Sequence, residues 1–215
     1  MNKQDQIIHA ALKLYSKHGI NKVSMNQIAA EVGITKPAVY YYFPSKEALL
    51  KAVVEISYFR YLGKLIDLLN RNDVDLPTKL QGVFRIAADD FVEWNEKLAG
   101  DKIERITFDL ITMEAMAQFP KLEKEASQLY REFTESAISA LKNGIEKGEI
   151  SNDLDCEETA ITLISMVEGT YVVCVSMDDL NIKDTFRRQA EVYMRLLTPV
   201  GIPINTLPAS SSGLS

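Results

Sequence analysis

The sequence predicts an all-α protein of nine helices. Apolar residues recur at helical spacing along almost the whole chain, no stretch sustains the period-two alternation of a half-buried strand, and cap or stop residues separate the periodic runs. With 47% hydrophobic and 25% charged residues in 215, the chain has the composition of an ordinary globular protein.

The first helix is expected over Lys3 to His18, with Ile7, Ile8, Ala11, Leu12 and Tyr15 on one stripe and Gly19 as its stop. Ser24-Met25-Asn26-Gln27 matches a capping box, so a short second helix should run to Val32 and end at Gly33. Thr35 caps the third, with Pro37 in a first turn that does not need its amide hydrogen, and Pro44 lies beyond its end. Ser45 opens a fourth helix, which Leu49, Leu50, Val53, Ile56 and Tyr61 carry to about Leu69. After the polar Asn70-Arg71-Asn72-Asp73 loop, a fifth helix from Leu76 to Glu96 repeats Leu80, Phe84, Ala87, Phe91 and Trp94. Ala99-Gly100-Asp101 breaks it from a sixth, about Lys102 to Ala117. Pro120 begins a long seventh with Leu122, Ala126, Tyr130, Phe133, Ala137, Leu141 and Ile145 on its stripe. The eighth runs from Glu157 to about Met177, and the ninth from Ile182 to Leu197. Three prolines after Thr198 and the Ser210-Ser211-Ser212-Gly213 run lead to a flexible tail over residues 201–215.

Charge divides the chain. The net charge is −6, yet residues 1–60 hold eight basic side chains against four acidic ones, which leaves a surplus of ten acids in the remainder. A basic head on an acidic body suits a polyanionic partner for the head, because salt screens the body's charge beyond roughly 8–10 Å. The polar start lacks a signal-peptide core, and Glu168 splits the most apolar helix into uncharged runs of nine residues, too short for a membrane span of about 20. A cytoplasmic location is expected, with no membrane partner. Cys156 and Cys174 stand alone, as reduced thiols rather than metal ligands, and no cofactor or metal is expected. Catalysis is disfavoured: both histidines, His9 and His18, fall in the first helix, and the paired acids Asp89-Asp90, Glu157-Glu158 and Asp178-Asp179 are adjacent and diverge on a helix.

Residues 24–43 contain two short helices joined by a glycine turn, the pattern of a helix-turn-helix whose second helix enters the DNA major groove. Ala29 is small where the helices must approach, and Ile28, Val32, Ile34 and Val39 can bury against the first helix. From Ile28-Ala29 through Gly33, Thr35-Lys36-Pro37-Ala38-Val39, Tyr40-Tyr41-Tyr42-Phe43 to Lys46, the chain resembles the signature of the TetR family, a likeness covering about residues 5–55. Val32 and Pro37 depart from it, standing where alanine and glycine are common.

The resemblance implies a DNA-binding domain over 1–46 and an effector-binding and dimerisation domain over 47–200. It implies that Lys36, Pro37, Ala38 and Tyr41 face base edges while Ser24, Thr35, Tyr40, Tyr42 and Lys46 hold phosphates. The residues by themselves also allow the tyrosines to be a core cluster and Lys46 a solvated first-turn lysine. For the body the resemblance implies a homodimer through the last two helices, with Gly169 permitting close approach, and a pocket for an unidentified small apolar or aromatic effector. The candidate lining is Phe91, Trp94, Phe108, Met113, Tyr130, Phe133, Met166 and Tyr171, with Glu168 orienting the ligand; ordinary core packing is the competing reading for each. The implied function is a regulator, most simply a repressor, binding palindromic operator DNA as a homodimer. An effector-independent architectural or cell-division DNA binder is the alternative.

Overall fold

The computed structural model describes residues 2–97, 105–177 and 179–198. Among these the regular elements are all helical: α1 Lys3–His18, α2 Met25–Val32, α3 Lys36–Tyr42, α4 Lys46–Val54, α5 Arg60–Leu69, α6 Leu76–Lys97, α7 Arg105–Gln118, α8 Pro120–Glu146, α9 Cys156–Ser176 and α10 Ile182–Leu197. That makes ten α-helices among the described residues where nine were expected. The difference arises inside the expected fourth helix, where Glu55–Phe59 form a π turn and the Arg60 amide donates to the Glu55 carbonyl five residues back. One inserted residue divides an otherwise continuous rod into α4 and α5. A 3₁₀ turn over Ile20–Lys22 is a second unexpected element. The expected Ala99-Gly100-Asp101 break and the 201–215 tail lie outside the described residues.

Local chemistry sets the head's geometry. The Asn2 side chain accepts from the Asp5 amide to start α1, and Gly19 ends it at φ 79°. Ser24 and Gln27 form the expected reciprocal cap, with the Ser24 amide donating to Gln27 Oε1 at 2.8 Å and the Gln27 amide to Ser24 Oγ at 3.4 Å. Gly33 then turns the chain at φ 71°, ψ 36°, a left-handed conformation that a side chain would strain by about 1–2 kcal/mol. The expected α1 stripe is buried in full, together with Ile28, Ala29, Val39 and Phe43.

The buried apolar residues fall into two clusters. The first joins α1–α4 and Phe59 to Ile111, Ala115, Leu122 and Ala126 of the body. A unit as small as this head buries too little surface to be strongly stable alone, so borrowed apolar area from α7 and α8 fixes its pose. The second cluster runs from Tyr61 through α5, α6, α8, α9 and α10. Here α10 packs along α6, α5 against α6 and α8, and α9 against α8 and α10. Gly144 of α8 leaves room for Leu76 of α6: a Cβ there would lie 2.3 Å from Leu76 Cδ2.

One surface remains apolar. On α9, Ile161, Val172 and Val173 are exposed, and Gly169 on the same side has nothing within 4 Å of a would-be Cβ. Val192 and Leu196 of α10 are exposed as well. No described helix is long and apolar enough to cross a membrane.

Candidate nucleic-acid interface

The exposed tip of the head is α3. Thr35 Oγ1 accepts the Ala38 amide at 3.3 Å, Pro37 occupies the first turn, and Val39 anchors the helix at 0% exposure. Outside that anchor Thr35, Lys36 and Pro37 are exposed, Ala38 is half-buried, and Tyr40, Tyr41 and Tyr42 are 41%, 84% and 37% exposed. The three tyrosines are therefore not a core cluster. The Lys36 ammonium lies 5.9 Å from the centre of the Tyr40 ring, and Tyr41 meets Tyr42 edge to face with ring centres 5.3 Å apart. These contacts hold long side chains in place before any ligand arrives.

Ser24 is exposed at the start of α2, but its hydroxyl already donates to Gln27 Oε1 at 2.8 Å. Lys46 is only half-buried, and the solvated-lysine alternative does not describe it. Its Nζ donates to the Ile20 carbonyl at 2.5 Å and sits over the Tyr15 ring at 5.9 Å. Burial pushes its pKa below the ordinary lysine value, opposed by the Glu114 carboxylate of α7. Lys46 thus fastens the start of α4 to the 3₁₀ turn, with further ammonium hydrogens left for another acceptor.

Sequence reasoning missed the ties that run from the first 58 residues to α7 and α8. Asn21 Nδ2 donates to Glu114 Oε1 at 3.2 Å, and Lys51 pairs with Glu125 of α8 at 2.5 Å, which raises the lysine's pKa. The hydroxyls of Tyr58 and Tyr130 hydrogen-bond to each other. Lys13 is also matched, by Glu31 at 2.9 Å, so the head presents less positive charge than its count of bases implies.

The expected effector residues with described side chains fall in two places, an open groove and the second core. The side chains of Phe91, Trp94 and Phe108 lie outside the described residues. Met113 is 62% exposed and shares an open groove between α7 and α8 with Met116 and Tyr130. Phe133 is wholly buried and packs in the second core, the competing reading given for it from the sequence. Tyr171 is filled around in the same way, its hydroxyl donating to the Ala87 carbonyl at 2.5 Å and its ring edge-on to Tyr61 and Phe186. Met166 packs against this core, and one carboxylate oxygen of Glu168 is sealed from solvent.

Two family profiles match the chain: "Bacterial regulatory proteins, tetR family" over residues 7–53 and "Tetracyclin repressor-like, C-terminal domain" over residues 110–190. Between them they cover more than half of it. The chain is 39% identical to YuxN, an uncharacterized HTH-type transcriptional regulator of Bacillus subtilis (strain 168), over 71 residues, 33% of this chain and 24% of that one. It spans a quarter to a half of the length of the first curated relatives it matches. Among solved structures, a SmeT–triclosan complex is similar with a TM-score of 0.73 and 20% identity, covering 94% of each chain. FadR from Bacillus subtilis, in complex with stearoyl-CoA, is similar with a TM-score of 0.65 and 19% identity, covering 88% of this chain and 97% of that one. Both likenesses concern the fold.

Proposed function

The chain belongs to the TetR family of bacterial regulatory proteins, and from that footing we propose that it is a cytoplasmic repressor that binds palindromic operator DNA as a homodimer and leaves it when a small effector binds. The observation that carries this reading is α3: a short helix whose first turn and tyrosines stand outward at the end of a basic segment in a turn geometry suited to the major groove. Lys36, Pro37, Ala38 and Tyr41 face base edges. Thr35, Tyr40, Tyr42, Ser24 and Lys46 lie against phosphates.

The dimer forms through α9 and α10, whose exposed Ile161, Val172, Val173, Val192 and Leu196 make an apolar surface of the sort that marks an interface. Residues 1–46 act as the reading head and 47–200 as the body. The effector is apolar or aromatic, as supported by the triclosan and stearoyl-CoA held by two proteins of this fold. Its site draws on Tyr130, Met166 and Glu168 of α8 and α9 and on the groove beside Met113, with Phe91, Trp94 and Phe108 as the further candidates that the family likeness names. Since the first core takes residues from α7 and α8, an effector that shifts either helix moves the head and spoils the match to two half-sites about 34 Å or a multiple apart.

Selection of bound fragments from the source genome tests the reading. It should enrich inverted repeats bound by two chains; enrichment of no sequence contradicts it. On such a repeat, Lys46→Ala should weaken all sequences alike and reduce the salt slope by about 1. An unchanged slope assigns Lys46 to the Ile20 carbonyl alone.

A further inference from the structure

The outward face of α3 carries little hydrogen-bonding code. Its seven residues, Lys36–Tyr42, include one cation and no arginine, asparagine, glutamine or acid, the side chains that make paired contacts to guanine, adenine or cytosine edges. Its geometry sharpens the point. A helix turns about 100° per residue, so Pro37 and Tyr41 each lie roughly 160° around the axis from the buried anchor Val39. They form the crest of the helix, and Tyr41, at 84%, is the most exposed large hydrophobic side chain among the described residues. Lys36 lies only roughly 60° from Val39, on the flank where its ammonium rests over Tyr40. Ala38, half-buried, lies on the other flank.

The crest is therefore a proline ring and an aromatic ring, with the Ala38 methyl group on the flank beside them. It is also stiff: proline fixes its own φ, and the Tyr41 ring is braced edge-on by Tyr42 at 5.3 Å. In the major groove one base-edge feature is apolar, the C5 methyl of thymine. We propose that α3 identifies its operator chiefly by thymine methyl groups, packed against Pro37, Ala38 and Tyr41, with Lys36 adding a polar contact from the flank. This rests on the reading of α3 as the recognition helix and names what that helix recognises.

The test uses the full-length protein and a duplex selected by it from a random library. Each thymine of the half-sites is replaced in turn by deoxyuridine, which pairs identically and lacks only the methyl. Each contacted thymine should lose about fourfold in affinity at fixed salt, the equivalent of about 0.8 kcal/mol for one methyl-sized group. Tyr41→Phe should keep both the selected sequence and the deoxyuridine effect, while Tyr41→Ala should abolish that effect at the thymine it faces. Equal affinity for thymine and deoxyuridine operators, with the unmodified duplex still bound specifically, overturns the proposal. Loss of sequence preference in Tyr41→Phe overturns it as well, assigning readout to the hydroxyl. A selection that yields no preferred duplex overturns the operator reading itself, a result distinct from the other two.

Discussion

Val172→Asp should give a folded monomer whose affinity for the operator is lower by about 100-fold or more. Val172 is 57% exposed on α9, so the isolated chain loses little from the change; surface substitutions of this kind stay within about 0.5 kcal/mol. Across a two-fold interface the same substitution occurs twice. Two carboxylates would then be buried in an apolar contact, α9 itself carries no lysine or arginine to pair with them, and stripping each of water costs several kcal/mol. A monomer holds one half-site and forfeits the effective concentration that makes the second contact nearly free. Sedimentation velocity and an operator titration on the same sample check both halves of the expectation. A Val172→Asp dimer of ordinary affinity would remove α9 from the interface.

Phe133→Ala should lower stability by about 3–5 kcal/mol. The ring sits at 0% exposure on α8 within the second core, and its removal takes away both its burial and the packing of its neighbours. Urea unfolding should show a lower midpoint at an unchanged slope, the signature of a change in stability rather than in the unfolded state. Were Phe133 the wall of a ligand cavity, truncating it would enlarge an existing space and cost less than about 1 kcal/mol. The two outcomes decide whether the central part of α8 is core or pocket.

That contrast marks where the sequence can be read and where it cannot. Interactions three residues apart were legible: the Ser24–Gln27 cap, the Thr35 bond to the Ala38 amide and the Ser45 bond to the Ala48 amide follow from residue type and spacing. The α1 stripe and Val39 were legible for the same reason, since helical period alone turns them inward. The π turn at Glu55–Phe59 was not. The apolar residues on either side of it keep a regular helical rhythm, and one inserted residue leaves no mark in composition. Pairs distant along the chain were equally hidden: Asn21 meets Glu114 across 93 residues and Lys51 meets Glu125 across 74. Surface lysines and glutamates are interchangeable on paper, and tertiary packing alone selects which ones meet. The same limit blurs pocket and core, because Phe133, Tyr171 and Met113 occupy similar positions in a 3.6-residue pattern yet end at 0%, 2% and 62% exposure.

For the head, sequence and structure agree on what stands outward, and that agreement can be tested at a single face. Titrating the selected operator and a random duplex of equal length, at several salt concentrations, with the wild-type chain and with Lys36→Ala and Tyr41→Ala, is the most direct measurement. Both variants should remain dimeric and bind random DNA nearly as the wild type does, while their affinity for the operator falls about tenfold or more, on the order of the 1–3 kcal/mol of a base contact. Operator affinity unchanged in both variants would contradict the assignment of α3 as the element that reads DNA.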